Sequence, residues 1–395
     1  MSDLDPRRNP KSATTRSVAQ FNTSLMIDAL RSHGAMSLRE LAERTGLSRA
    51  TVNRLADELV AQRLLIDERQ AERTGGRPAR IFRYNGAHRG VLAIDLGPQK
   101  TTAAVIDTDG SPVYREVRPT ASTGSEAESQ QVFDQLLLFA QDMLEQTRAR
   151  CEVLAVAISV PGVVRPESGL VEFAPALKWW SMPLAQRLQD RLRLPVFAEN
   201  DVNLMVLAEH RRGAGVGMND VVALSMGTGV GAGLILDGRL HRGWLGGAGE
   251  LGYMLIEPAS LKQTWPQFGD FESRLGKVAI ERRAAEIGLP GVSELFSAAR
   301  AGNGPAVAVV DELSDILALA IANISVLVSP QIVLIGGQVG RVADQLIAGV
   351  RERLVARIPT VPRIAPAQLV DAELIGASEL AIDHIMRGNS LSLGS

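Results

Sequence analysis

The chain has 395 residues, 46% of them hydrophobic, with a mean hydropathy of +0.06 and a formal charge of −2; this allows two or three domains with real cores and excludes a disordered or fibrous protein. No stretch approaches the roughly 20 uninterrupted apolar residues of a membrane helix, and Met1–Lys11 is polar and broken by proline, unlike a signal peptide, so a cytoplasmic protein with no membrane partner is expected. The single cysteine, Cys151, excludes an internal disulfide, and no cysteine or histidine cluster supplies ligands for a structural zinc.

Charge is uneven along the chain. Residues 1–90 carry 16 Lys/Arg against 10 Asp/Glu, a charge of +6, which leaves −8 for the remainder. A basic end on an acidic body suits phosphate attraction, the sequence-independent part of DNA affinity. Residues 1–16, rich in charge, Pro, Ser and Thr, read as a flexible arm. Val18, Phe21, Leu25, Met26, Ala29 and Leu30 then repeat at helical spacing up to Gly34, which predicts a supporting first helix.

Ser37 with Glu40 three residues on fits a capping box, in which each side chain satisfies a backbone N–H left open by the first helical turn. Leu38, Leu41 and Ala42 mark the apolar face, and Gly46 supplies the left-handed residue that ends the helix. Ser48 caps the next helix. From Arg49 to Ala61 the apolar residues Val52, Leu55, Ala56, Leu59 and Val60 form one stripe, turning Ala50, Asn53, Arg54 and Asp57 outward. This is a helix-turn-helix pattern: Ala50 and Thr51 are small enough for close approach to bases, and Arg49, Asn53 and Arg54 bring donors for guanine, adenine or phosphate. The same periodicity also fits a plain helical bundle with a solvated charged face.

Leu64–Ile66 and Ala79–Tyr84 read as two strands around a polar segment that ends in Gly75-Gly76, which is the outline of a wing. Arg77 and Arg80 are placed to reach a minor groove, where arginine is drawn by concentrated negative potential; the alternative is a solvated loop. The expected domains are therefore the arm 1–16, a winged helix-turn-helix over 17–88, and a two-lobed body over 89–395.

In the body, strands are predicted at Val91–Leu96, Thr102–Ile106, Val153–Val160, Pro195–Ala198, Val221–Ser225, Gly231–Leu236 and Ile332–Ile335. Helices between them include Gln131–Arg148, Leu184–Leu192, Val202–Arg212 and Asp311–Val328. The alternation argues for an α/β fold. An internal echo, Asp95-Leu96-Gly97 leading to Asp109-Gly110 and Met226-Gly227-Thr228 leading to Asp237-Gly238, implies two similar lobes. Between Ser225 and Tyr253 ten glycines crowd together, a density that suits close backbone approach to phosphate or sugar oxygens, or simply a structural turn. Asn200 and Asp201 can pair with a sugar's hydroxyls, and Asp201 can deprotonate one; capping of the following helix is the other reading.

Glu199-Asn200-Asp201, Gly227-Thr228-Gly229-Val230-Gly231, Gly249-Glu250-Leu251-Gly252 and Ile335-Gly336-Gly337, in that order behind Ser48-Arg49-Ala50-Thr51-Val52, resemble the ROK family and its transcriptional-repressor branch, from about Val18 to Met386. The resemblance implies an actin-like fold of two ribonuclease H-type lobes, a sugar in the cleft, and a homodimer or homotetramer. It places Asn200, Asp201 and Glu250 on sugar hydroxyls, Asp201 at the base position of the kinases, and Glu272 at the glutamate closing the family's cysteine-rich loop. Three features depart from it. The three zinc cysteines are missing, Tyr253 stands for a histidine that binds zinc and sugar, and Ala176 replaces an asparagine, leaving a larger and less polar pocket. The kinase hairpin Asp-x-Gly-Gly-Thr reads Asp95-Leu96-Gly97-Pro98-Gln99-Lys100, and Pro98 has no N–H to offer a phosphate.

The reading is thus a repressor that binds operator DNA and a sugar or sugar derivative (through Asn200, Asp201, Glu250, Tyr253 and Glu272), with no cofactor, no metal and no catalysis. Its rivals are an ATP-dependent sugar kinase carrying a DNA-binding head and a ligand-independent regulator whose body only oligomerises.

Overall fold

In a computed structural model the described residues are 18–388, excepting 19, 20, 24, 28, 31, 32, 63, 70–79, 122–125, 266–268, 341 and 343. The arm, Arg77 and the tip of the wing lie outside them.

The head begins with helical residues between 18 and 33 (α1), which bury Met26, Ile27 and Leu30. Val18 and Phe21 of the predicted stripe stay exposed, outside the head's core. Met36–Ser37 (β1) leads into α2 (Leu38–Thr45), where both halves of the Ser37–Glu40 capping box form and Gly46 takes φ 68° to end the helix. In α3 (Arg49–Ala61) the Ser48 side chain accepts from the Thr51 N–H, and Val52, Leu55, Ala56 and Leu59 are buried. The wing strands β2 (Leu65–Arg69) and β3 (Arg80–Tyr84) pair antiparallel, and β1 adds to the free side of β3 with Met36 opposite Phe82. Two residues are too few to show a period, so β1 has no signature in the sequence. Phe82 and Tyr84 complete the head's core.

A 3₁₀ turn, Gly86–His88, connects the head to the body. The first lobe carries β4 (Arg89–Leu96), β5 (Lys100–Asp107), β6 (Pro112–Pro119), α4 (Glu126–Thr147) and β7 (Glu152–Val160). It continues through a small sheet of β8 (Val163–Val164), β9 (Val171–Ala174) and β10 (Trp179–Met182) to α5 (Leu184–Leu192), β11 (Val196–Asn200) and α6 (Asp201–Arg212). The second lobe has β12 (Val221–Met226), β13 (Val230–Leu236), β14 (Arg239–His241), helices α7 (Glu272–Leu275), α8 (Lys277–Glu286), α9 (Val292–Arg300) and α10 (Gly304–Val328), then β15 (Ile332–Gly336), α11 (Gly337–Gly340), α12 (Asp344–Leu354), β16 (Arg363–Pro366) and α13 (Ala372–Gly388). No described helix is long and apolar enough to cross a membrane.

Each lobe has a five-stranded sheet, ordered β11-β7-β4-β5-β6 and β14-β13-β12-β15-β16. In both, three successive strands form an antiparallel meander, a fourth joins the first strand in parallel, and a fifth joins the fourth in parallel. That is the doubling announced by the internal echo. The edge strands β6 and β16 are absent from the expected set; both carry proline at their ends and β6 is half exposed, as suits an edge but not a hydrophobic run. The outer faces of the sheets bury α4 and α5 on one side and α8, α9, α10 and α12 on the other. The inner faces close on α6 and α13, which lie between the lobes.

Candidate functional site

The exposed face of α3 follows from its burial. Arg49, Ala50, Asn53 and Arg54 are exposed, Thr51 is half buried, and Ser48 is exposed at the cap. Among the described residues Arg54 pairs with the exposed Glu58 one turn on, a contact that DNA can replace at little cost. Arg80 is more committed. Its Nε donates to Asp67 at 2.9 Å, its Nη2 pairs with Asp57 of α3 at 2.7 Å, and its guanidinium lies over the Phe82 ring. It braces the wing against α3.

The cleft opens where strands of both sheets end. Asn200 closes β11 and caps α6: its Oδ1 accepts from the N–H groups of Val202 and Asn203, and its Nδ2 donates to the Gly162 carbonyl. Capping therefore uses both acceptor positions and one amide hydrogen, leaving one N–H for a ligand. Asp201 follows, accepting from the Val202 N–H. Beneath them Glu199 is buried; it takes hydrogen bonds from the Asn200 N–H and Asn203 Nδ2 and pairs with Arg242 at 2.5 Å.

From the other lobe, Gly249 adopts φ 95°, and a side chain there would overlap the Ala232 carbonyl, so only glycine lets the chain turn and present Glu250. Glu272, the first residue of α7, accepts from the Val230 N–H at 2.9 Å and lies against Gly229 and Gly252, so one of its oxygens supports the glycine turn. Tyr253 is half exposed on the 3₁₀ turn Leu251–Tyr253, and Ala176 is exposed on another, Pro175–Leu177.

These carboxyl groups face one another with little compensating positive charge. Burial, then the charges of Asp95 and Glu373, pushes Asp201 up to about 8. Burial and Glu373 push Asp95 up to about 7 against the hydrogen bond from Ser159 Oγ, at 2.9 Å, which lowers it. Burial followed by Glu272 raises Glu250, and burial raises Glu272. Such groups accept hydrogen bonds from hydroxyls where ionised, and Asp201, largely protonated below about pH 8, can also donate one. Sequence reasoning missed Asp95 as a cleft residue, although it stands in the echo, and missed Glu373, which α13 delivers from the far end of the chain without any local signal.

The loop ahead of Glu272 is organised by a carboxylate. Asp270 is fully buried and accepts from the Ile256 N–H, from Ser260 Oγ and from Arg274 Nε, while Arg274 also reaches Glu257. Burial pushes Asp270 up, but these donors outweigh it and hold its pKa below the ordinary carboxylate value. Among the described residues no group of three or more His, Cys, Asp and Glu is arranged to hold a metal ion. At the β4–β5 hairpin, Thr120 ties down the backbone: its Oγ1 donates to the Gly97 carbonyl and its N–H to the Gln99 carbonyl.

A model of the ROK family matches residues 91–384. The chain belongs to the ROK family. A MarR-family model covers residues 20–78 of this ROK protein, the winged helix-turn-helix. It is 26% identical over 353 residues to the xylose repressor of Caldicellulosiruptor bescii, covering 84% of this chain and 87% of that one. It is 30% identical over 318 residues to the glucokinase of Thermotoga maritima, covering 75% and 98%. A solved ROK transcriptional regulator, a homologue of the Escherichia coli MLC protein, superposes with a TM-score of 0.80 at 23% identity over 95% of this chain and 98% of that one. The fold is accordingly a MarR-type head on an actin-like, sugar-kinase-like ROK body.

Proposed function

We propose that this protein is a transcriptional repressor whose affinity for operator DNA responds to a sugar or sugar derivative held between Asn200, Asp201, Glu250, Tyr253 and Glu272. The reading rests on one observation above the rest: a head with an exposed, donor-bearing α3 shares a chain with a cleft that gathers half-buried carboxyl groups at a helix start and a glycine turn. A hydroxyl-rich ligand can add hydrogen bonds to carboxyl groups that backbone N–H groups satisfy only in part. Ser48, Arg49, Ala50, Thr51, Asn53 and Arg54 enter the groove, with Arg77 and Arg80 on the flanking backbone. The head spans 17–88 and the body 89–395, and the body assembles the chain into a homodimer or homotetramer that presents two heads to paired half-sites.

The kinase reading draws on Asp201 and on the similarity to a glucokinase. We infer that phosphoryl transfer is lost, because it depends on positioning and charge stabilisation and Pro98 removes an N–H from the hairpin. The experiment is a thermal-shift screen with xylose, glucose and ATP, followed by operator binding with and without the stabilising sugar, using DNA fragments retained by the purified protein. A ligand bound only to the native state raises its stability. Stabilisation by sugar that leaves operator affinity unchanged would defeat the regulator, and sugar phosphate formed from ATP would establish the kinase.

A further inference from the structure

The end of α6 remote from the cleft is joined to the DNA head by residues that neither site uses. Asp201 opens α6 in the cleft and Arg212 closes it; with a rise of 1.5 Å per residue the helix spans about 18 Å. Val202–Glu209 are all buried. One face, with Val202, Met205 and Val206, packs on the second lobe's sheet, and the other, with Leu204 and Leu207, packs on the first lobe's sheet and α13. A helix enclosed in this way moves as a rod when the angle between the sheets changes, because close-packed interiors shift between discrete arrangements rather than deform smoothly.

At the far end the Arg212 guanidinium lies on Gly110, where any side chain would overlap it, and its Nε donates to Glu379 of α13 at 2.7 Å. Gly110 belongs to the β5–β6 turn, stiffened by Asp107, whose Oδ1 accepts from the N–H groups of Asp109 and Ser111. The next residue of that turn, Thr108, is buried. Its N–H donates to the Arg89 carbonyl and its Oγ1 to the Gly86 carbonyl, and the Tyr84 hydroxyl meets Oγ1 at 2.8 Å. Tyr84 ends wing strand β3, and Arg80 at the start of the same strand grips Asp57 on α3.

We infer that α6, the 107–111 turn and Tyr84 form the joint through which occupancy of the cleft reaches the reading helix, with Arg212, Gly110, Thr108 and Tyr84 as its positioning residues. The inference rests on the sugar-responsive reading of the cleft. Sugar binding at Asp201 biases the angle between the lobes, α6 carries that angle to Gly110, and the Thr108–Tyr84 bond passes it to β3 and α3.

Tyr84→Phe removes only the hydroxyl and keeps the ring in the head's core, and Thr108→Val removes the partner from the other side. Full-length variants are compared with wild type for thermal shift by xylose and glucose, and for operator affinity with and without the stabilising sugar. Both variants should keep the wild-type thermal shift and bind operator without sugar within about fivefold of wild type. The sugar-dependent change in operator affinity, about 5- to 150-fold for an allosteric coupling of ordinary size, should fall below about twofold. A wild-type change in both variants overturns the joint. A second measurement needs no sugar: amide hydrogen exchange of Arg212→Gln should quicken in the 107–111 turn and in β3, and a β3 that exchanges at the wild-type rate also overturns it. Exchange that follows the expectation in a protein deaf to both sugars supports the joint and counts against the sugar reading instead.

Discussion

On α3 the side chains proposed to read DNA stand in water, on one face of one helix, opposite the stripe that folds it. In the cleft Asp95, Asp201, Glu250, Glu272 and Glu373 arrive from five separate elements, and burial has shifted the proton affinity of the first four. The first surface needs nothing but its own helix. The second exists only when both lobes are folded and brought together, and its chemistry differs from that of the same residues in solution. A change on α3 should therefore alter affinity and little else, whereas a change in the cleft should alter regulation, stability and pH dependence.

The widest separation is expected from Asp201→Ala. Operator binding without sugar should stay close to wild type, while the change in operator affinity on adding the stabilising sugar, about 5- to 150-fold at usual coupling strengths, disappears. Operator titrations with and without sugar measure both quantities. A mutant that responds at the wild-type midpoint would place the sugar elsewhere.

Ion pairs draw the same contrast in stability. Asp270→Ala strips a fully buried carboxylate from three donors and should cost about 3 kcal/mol, whereas Glu58→Ala, which breaks the exposed pair with Arg54, should cost less than about 0.5 kcal/mol. Urea unfolding of the two variants makes the comparison. Metal analysis of the purified, untagged protein complements it, because stoichiometric zinc would mean that Asp270 is not what organises the loop.

The difference between the surfaces also governs what the chain reveals before it is folded. The bounds of α3, its cap at Ser48 and the capping box at Ser37 follow from residues within a few positions of one another, and the structure has them as expected. The buried strands β4, β7, β12 and β15 begin and end within two residues of their apolar runs. Strands whose existence depends on a neighbour, such as β1 against Phe82 or the proline-bounded edges β6 and β16, carry no such mark. Asn200 was legible as a cap or as a ligand. The structure places it as the cap, and its one remaining amide hydrogen serves the proposed ligand role. Glu373 was not legible at all, since only the packing of α13 between the lobes sets its charge beside Asp95 and Asp201.

On the head, Asn53→Ala and Arg54→Ala should each weaken operator binding by about 1–3 kcal/mol, the usual worth of a bidentate base contact, with thermal unfolding unchanged because both side chains are exposed. Equal operator affinity in both mutants would put α3 outside the groove. These losses should appear with and without sugar, which distinguishes them from the effect of Asp201→Ala.

The smallest expected effect is a slope of stability against pH. In the native protein without sugar, Asp95 is raised to about 7 and Asp201 to about 8, chiefly by burial, whereas in the unfolded chain both titrate near the ordinary carboxylate value. Between those limits the native state holds protons that the unfolded state has already released, so stability falls as pH rises. Other shifts act elsewhere. His210, lowered mainly by burial, destabilises the fold as pH falls below the ordinary histidine value, and Asp270, held below its own ordinary value, matters only in acid. Cys151, pushed up to about 11 by burial, adds a slope of the same sign only as pH approaches the ordinary thiol value, so a window from about pH 7 to about pH 8 reads the cleft. Urea unfolding across it should show wild type losing stability with rising pH and Asp201→Asn losing less, because an amide has no proton to surrender. The α3 variant Asn53→Ala should follow wild type. Parallel slopes in wild type and Asp201→Asn would mean that water reaches the Asp201 carboxylate freely, and the contrast between an exposed reading surface and a buried cleft would no longer hold.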